Sequence, residues 1–307
     1  MSAELDGLGT RVRLVLSGTA RETGAAVRRI AAVFRRAERR FSRFSAESEL
    51  SRLNERHEPM AVSRALFAAL RRAQRFTEQT FGAFDPTIGT ALVAAGYDRS
   101  FAPGILDRAS PSGWRAPAPG MAAVVLDAAR RTAFVPHGVS VDLGGMIKGS
   151  TVDAAARWLP AGGVVEAGGD ARLEGAGPDG RGWVVEVEDP GDAARVVAAF
   201  RVRDRGVATS APNRRRWRAG AEERHHLIDP RTGAPAVSDL AQVTIVAASA
   251  EEADVLATAV FVLGAGQGRR LLARLDGVAA LLVHADRRLE VVGALELVPL
   301  ADLAVAS

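Results

Sequence analysis

The sequence contains no cysteine. Disulfides, thiolate catalysis and cysteine-ligated zinc are therefore excluded, and such a chain tolerates either redox environment. Lysine is nearly absent too: Lys148 is the only one, all other cationic side chains apart from histidine being arginine. This bias fits a GC-rich coding sequence better than a nucleic-acid surface. The exception at 148 reads either as a site that prefers an ammonium to a guanidinium or as chance. No run of about 18 uninterrupted apolar residues occurs, so no membrane span is expected. The opening Met1-Ser-Ala-Glu-Leu-Asp-Gly7 has neither the basic nor the apolar stretch of a secretory signal. We expect a cytoplasmic protein. A net charge of +4 spread over 307 residues is too small to argue for a nucleic-acid partner.

Hydrophobic residues make up 48% of the chain, enough to fill a sizeable core in one two-lobed unit spanning residues 1–307. Alternation predicts a first strand over 11–17. Val27, Ile30, Phe34, Ala37 and Phe41 fall at helical spacing, with an arginine-rich solvated face between them. Residues 41–54 read as a loop or a short turn of helix. A second helix covers 63–81 with Ser63 as N-cap, and Gly82-Ala-Phe-Asp-Pro86 breaks it. Residues 100–120 read as a surface excursion, and short strands follow at 122–126 and 133–135. A glycine-rich turn over 140–149 enters a helix near 151–158. Strands at 162–166, 171–175, 182–188 and 196–203 suggest an antiparallel meander, followed by strands at 206–210 and 241–248. Helices at 251–263 and 267–275 precede strands at 278–284 and 289–292. Meanders with helices segregated between them argue for α+β. The lack of a G-x-G-x-x-G after the first strand disfavours a dinucleotide-binding Rossmann fold.

Four segments carry candidate chemistry. The first is Val141-Asp-Leu-Gly-Gly-Met-Ile-Lys-Gly-Ser-Thr-Val-Asp153. Its glycines allow close backbone approach, amides at a helix start favour phosphate, and Lys148 supplies a point charge. The alternative is a glycine turn with a surface lysine. The second is Asp254 with Thr258, four residues apart on one helical face, a pairing that suits a hard cation such as Mg²⁺ or, more plainly, a first-turn Asp. The third is Arg224-His-His-Leu-Ile-Asp-Pro-Arg-Thr-Gly233, where His226 could act as general base or be structural. Adjacent His225 and His226 would point to opposite sides of a strand, so at most one faces a site. The fourth comprises Phe41–Asn54, Gly82–Gly89 and Gly168-Gly-Asp170, in which Phe44 and Phe84 could stack a flat ring or simply fill core.

Taken in order, these segments resemble the ApbE family of FAD:protein FMN transferases. Leu8-Gly-Thr10, Ser42-x-Phe44 with Ser48-x-Leu50-Ser51-x-Leu53-Asn54, Gly82–Thr87, Asp142–Asp153, Gly168–Asp170, Thr209-Ser210, His226–Gly233 and Asp254–Thr258 follow its motifs across roughly residues 8–265. The resemblance implies a T-fold-like α+β architecture with two lobes around a flavin cleft. It implies transfer of FMN from FAD to a Thr or Ser of an acceptor protein, with release of AMP. It places flavin or adenine contacts on Leu8, Phe44, Ala83, Phe84, Asp85, Asp142, Lys148 and Leu227, with Asn54 in the same neighbourhood. It places Mg²⁺ on the backbone of Gly145 and Ala257 and on Asp254 and Thr258. His226, Lys148 and Asp142 become the candidate catalytic residues. Leu8, Phe44 and Ala211 depart from the family's usual Met, Tyr and Gly. A Mg²⁺-dependent FAD pyrophosphatase or a non-catalytic FAD carrier would use the same residues.

Overall fold

The computed structural model describes residues 1–99, 116–219 and 222–303. Most of the expected excursion over 100–120 therefore lies outside the described residues. The strands in chain order begin β1 (Ser2–Gly7), β2 (Thr10–Leu16), β3 (Met60–Ala61), β4 (Val125–Asp127), β5 (Thr132–Phe134), β6 (Gly163–Ala167), β7 (Asp170–Glu174), β8 (Trp183–Asp189) and β9 (Asp192–Val202). They continue with β10 (Arg205–Ser210), β11 (Arg216–Ala219), β12 (Glu222–His225), β13 (Ile228–Asp229), β14 (Ala234–Pro235), β15 (Leu240–Ala247), β16 (Ala279–His284), β17 (Leu289–Val292) and β18 (Glu296–Val298). The helices are α1 (Ala20–Phe41), α2 (Glu49–Arg56), α3 (Arg64–Gln79), α4 (Gly89–Ala94), α5 (Gly144–Ala156), α6 (Ala250–Leu272) and α7 (Leu300–Leu303).

An eight-stranded sheet runs β1-β2-β6-β7-β10-β15-β16-β17, every neighbouring pair antiparallel. A three-stranded sheet, β18-β9-β8, contributes Val187, Phe200 and Val202 to a core shared with Leu173, Val207, Val246 and Leu281 of the large sheet. Helices α1, α2, α3, α5 and α6 and strand β15 supply most of the other core residues. The α+β expectation holds.

The local chemistry explains most element ends. Thr19 and Glu22 form a capping box at the start of α1, whose Ala26, Ile30, Phe34 and Ala37 are buried at helical spacing. Ser63 caps α3 as expected, accepting from Leu66 N at 3.2 Å. Leu8 and Gly9 both have positive φ (54° and 69°), the two-residue turn that matches strand twist, and join β1 to β2. Strand β1 was not expected, since Glu4 and Asp6 break any β-forming run. Of the loop or short helical turn expected over 41–54, the helical alternative holds from residue 49: Glu49–Arg56 form α2, with Ser48 accepting from Ser51 N.

The largest correction concerns the glycine-rich segment. It is not a turn leading to a helix at 151; α5 already starts at Gly144, so Gly145 and Lys148 lie within its first turns. Glycine weakens a helix by about 1 kcal/mol relative to alanine. Here the loss is offset by close packing. A Cβ on Gly149 would stand 2.3 Å from the Ala250 carbonyl oxygen, and one on Gly206 would stand 2.1 Å from Ala250 N. These glycines let α5 and β10 approach the start of α6. Asp153 on α5 then accepts from Ala250 N (2.9 Å) and Glu251 N (3.0 Å), capping α6 from a different helix. Arg72 of α3 completes the junction, reaching Glu251 at 2.9 Å and Ser150 at 3.2 Å.

Helix α6 bears out the two expected helices as one span with a kink. Gly264 has φ 73°, and Asp239 accepts from Ala265 N at 2.9 Å, recapping the second half. By length and composition α6 could cross a membrane, but it packs between α5 and strands β10 and β15 with most of its residues buried.

Candidate functional site

Lys148 projects from the second turn of α5 into a cleft of about 880 Å³. Its ammonium touches two carboxylates, Asp170 Oδ2 at the start of β7 (2.5 Å) and Asp254 Oδ2 in α6 (3.1 Å). All three side chains are nearly closed off from solvent. The glycine segment and the Asp–Thr helix edge thus converge, as the family resemblance implies. Burial on its own would lower the lysine's pKa, but the two carboxylates outweigh it and the net direction is up, so Lys148 is a cation at neutral pH. Asp170 is held well above the ordinary carboxylate range by burial and then by the Asp254 charge, with Lys148 acting against both. Two acids share one ammonium in a place with little water, an arrangement that favours keeping a proton on Asp170 until further positive charge enters.

Thr258 lies one turn beyond Asp254, and its Oγ1 is 3.3 Å from Ser210 Oγ. A Cβ placed on Gly145 would be 3.9 Å from Thr258 Oγ1 and 3.2 Å from the Phe84 ring, so α5, α6 and the 82–89 segment meet here. Beside the lysine, Asp170, Asp254, Thr258 and Ser210 offer oxygen donors. Among the described residues no group of three or more His, Asp or Glu side chains gathers. Mg²⁺ characteristically uses one or two carboxylates and completes its shell with water and substrate phosphates. The donor set fits such an ion.

Asp85 is buried and accepts from Thr87 N (2.9 Å) and Thr87 Oγ1 (2.7 Å); burial outweighs these bonds and raises its pKa. Asp142 is braced on both oxygens, by Gly144 N (2.6 Å) and by Arg43 Nε (2.5 Å). Arg43 in turn lies over the rings of Phe44 (4.2 Å) and Tyr97 (4.5 Å) and donates to Tyr97 O. Tyr97, the only tyrosine, stacks on buried Trp217 at 5.5 Å.

His226 follows β12. Its Nδ1 lies 3.3 Å from Arg215 O, a contact with a carbonyl that requires the Nδ1–H tautomer and leaves Nε2 a lone pair. Burial first, then the charges of Arg215 and His225, hold His226 well below the usual histidine value, so it is neutral at pH 7. His225 turns away against Phe261, and burial lowers it to about 4. One histidine of the pair faces the cleft, as strand alternation implied.

Ten of the expected site residues line this one cleft: Ala83, Phe84, Asp85, Asp142, Gly145, Lys148, His226, Leu227, Asp254 and Thr258. Leu8 and Phe44 line an adjoining cavity of about 1,100 Å³ that shares Asp142, Gly144 and Lys148 with the first. Asn54 and Ala257 line neither. Asn54 instead braces the strand-like approach to Asp142, pairing with Val141 N and O at 2.9 Å each. Ala257 is fully buried in α6. Arg43, Tyr97 and Arg215 were not singled out from the sequence, and Asp170 was quoted there without a role.

The chain matches the ApbE family over residues 8–282. It is 31% identical to the FAD:protein FMN transferase of Treponema pallidum, the alignment covering 91% of this chain and 82% of that protein. It is likewise 31% identical to the FAD:protein FMN transferase of Vibrio cholerae, over 74% of this chain and 70% of that protein. Among solved structures, the ApbE protein of Thermotoga maritima superposes with a TM-score of 0.82 at 29% identity, covering 94% of this chain and 96% of that one.

Proposed function

The chain belongs to the ApbE family, and from that premise we propose that it transfers FMN from FAD to a hydroxyl of an acceptor protein. The observation that carries the reading is the Lys148–Asp170–Asp254 cluster at the meeting point of two cavities. FAD has two flat ends joined by a diphosphate, and two cavities that share Lys148 accommodate such a shape.

The reaction forms a bond between the acceptor oxygen and the FMN phosphorus as the P–O–P anhydride breaks. AMP departs with the electron pair. The hydroxyl proton goes to His226 Nε2, which is unprotonated at neutral pH and gains basicity once diphosphate charge enters the cleft. Lys148 and Arg215 place positive charge on the diphosphate, where it stabilises the dispersed charge of the transition state. Arg43 and Asn54 hold Asp142 and the start of α5 in position. Asp254 and Thr258, with backbone oxygens near Gly145, would hold Mg²⁺, which would supply electrostatic stabilisation of phosphate oxygens.

Incubation of the protein with FAD, Mg²⁺ and a threonine-containing acceptor protein tests the reading. Covalent flavin on the acceptor and stoichiometric AMP are expected, and a chelator should abolish both. Equal release of FMN and AMP from FAD with no acceptor would indicate hydrolysis instead. Tight flavin binding with neither product would indicate a carrier.

A further inference from the structure

We propose that the acceptor enters as an extended segment that adds to the free edge of β8. The inference rests on the transferase reading and names where its second substrate binds. Transfer at phosphorus needs three arms to meet at one atom: the FMN half, the AMP half and the incoming hydroxyl. Three cavities meet in this molecule. The cleft around Lys148 and the Phe44 cavity are two of them. The third is an open groove of about 2,700 Å³, joined to the cleft through Gly168, Thr209, Arg214 and Arg215. Arg215 lines all three.

The groove has a wall suited to a strand. Val185, Glu186, Val187 and Glu188, four consecutive residues of β8, line it. Side chains of a strand alternate between faces, so an unbroken run lines a cavity only when the backbone edge faces it. β8 pairs with β9 on one side, and no strand occupies its other side among the described residues. From the groove side, Gln242 Nε2 donates to Glu188 O at 3.2 Å and Arg214 Nη2 to Glu188 Oε2 at 3.1 Å, both at the end of the run. Exposed edges attract foreign strands, and proteins normally blunt them. This edge is left usable, and its groove leads to the reaction cleft. Main-chain pairing there holds a segment of varied sequence while alternate side chains point along the groove floor. A serine or threonine near its end would then reach past Thr209 and Gly168 toward Lys148.

The test uses the full chain, FAD, Mg²⁺ and a pool of synthetic peptides of about seven residues, each with a threonine near one end and random residues elsewhere. Val185→Pro and Glu186→Pro each remove one main-chain donor from β8. Proline is tolerated at an edge strand only where the N–H faces away from its partner, so one of the two should fold. That variant should bind FAD like the wild type, by flavin fluorescence, and lose about tenfold in peptide flavinylation, the value of one hydrogen bond. Ala171→Trp, which adds bulk to the groove lining from β7, should give a comparable or larger loss. Wild-type flavinylation rates in a folded proline variant and in Ala171→Trp would overturn the groove proposal and leave the transferase intact. Failure of the wild-type chain to flavinylate any peptide or protein acceptor while binding FAD would overturn both.

Discussion

Helices α5 and α6 carry two carboxylate arrangements within a few turns of each other, and the two are built on opposite principles. At the start of α6, Asp153 gives each oxygen a backbone N–H, Arg72 matches Glu251, and glycine brings the helices into contact. Farther along, Asp170 and Asp254 crowd a single ammonium, and a hydroxyl pair stands beside them. The first junction is complete as it stands. The second sets two carboxylates against one ammonium, with Asp170 pushed toward its neutral form by burial and by Asp254, at the wall of an open cleft. The two arrangements lie side by side on the same pair of helices, and the capped junction sets how closely Lys148 and Asp254 approach.

Asp254→Ala separates these roles most sharply. It should lower FMN transfer by about 10²–10³-fold, the usual loss when a group serving transition-state charge is removed. The fold should not suffer, because Lys148 keeps Asp170 and one buried charge has gone. A thermal midpoint equal to or above wild type, with transfer nearly abolished, is the expected pair of readings. Full activity in this variant would remove Asp254 from the mechanism. Asp153→Ala should do the reverse. Loss of a helix cap costs about 1–2 kcal/mol, read as a lower denaturation midpoint, while transfer well below that midpoint falls only a few-fold. Loss of activity in a folded Asp153→Ala protein would mean that the junction also tunes the cleft.

A smaller effect distinguishes the two adjacent histidines from the acid cluster. His225 and His226 have folded pKa values below 6.5, so the unfolded chain binds more protons below that pH. Their contribution to stability is present above pH 6.5 and is lost as pH falls toward the folded values, about 4 for His225. Asp170, raised by folding, changes stability in the opposite sense. His225→Gln compared with wild type isolates one histidine: its midpoint should fall less steeply between pH 6.5 and 4.5 in denaturation curves.

The sequence made the reactive cluster legible because its parts are local. The run from Asp142 to Asp153 and the Asp254/Thr258 spacing are compatible with phosphate and cation chemistry, and the family's motif order implied their convergence. The start of α5 was misplaced because three glycines read as a turn, whereas their need is set by Phe84 and Ala250 across the interface. Asp170 could be quoted but not paired, since its partner lies 22 residues away on another element. Arg43 and Arg215 were hidden by an arginine-rich composition. The free edge of β8 had no signal at all, because an edge is a property of a sheet and not of a strand.

The stack of Tyr97 on Trp217 carries a consequence for observation. Tyr97 lines both inner cavities, and Trp217, with no exposed surface, sits directly behind it. Flavins absorb light where indole emits, so a flavin seated beside Tyr97 should dim Trp217 by energy transfer. Occupancy could then be followed by intrinsic fluorescence, and Trp217→Phe should reduce the flavin-dependent change, the remainder coming from the other three tryptophans.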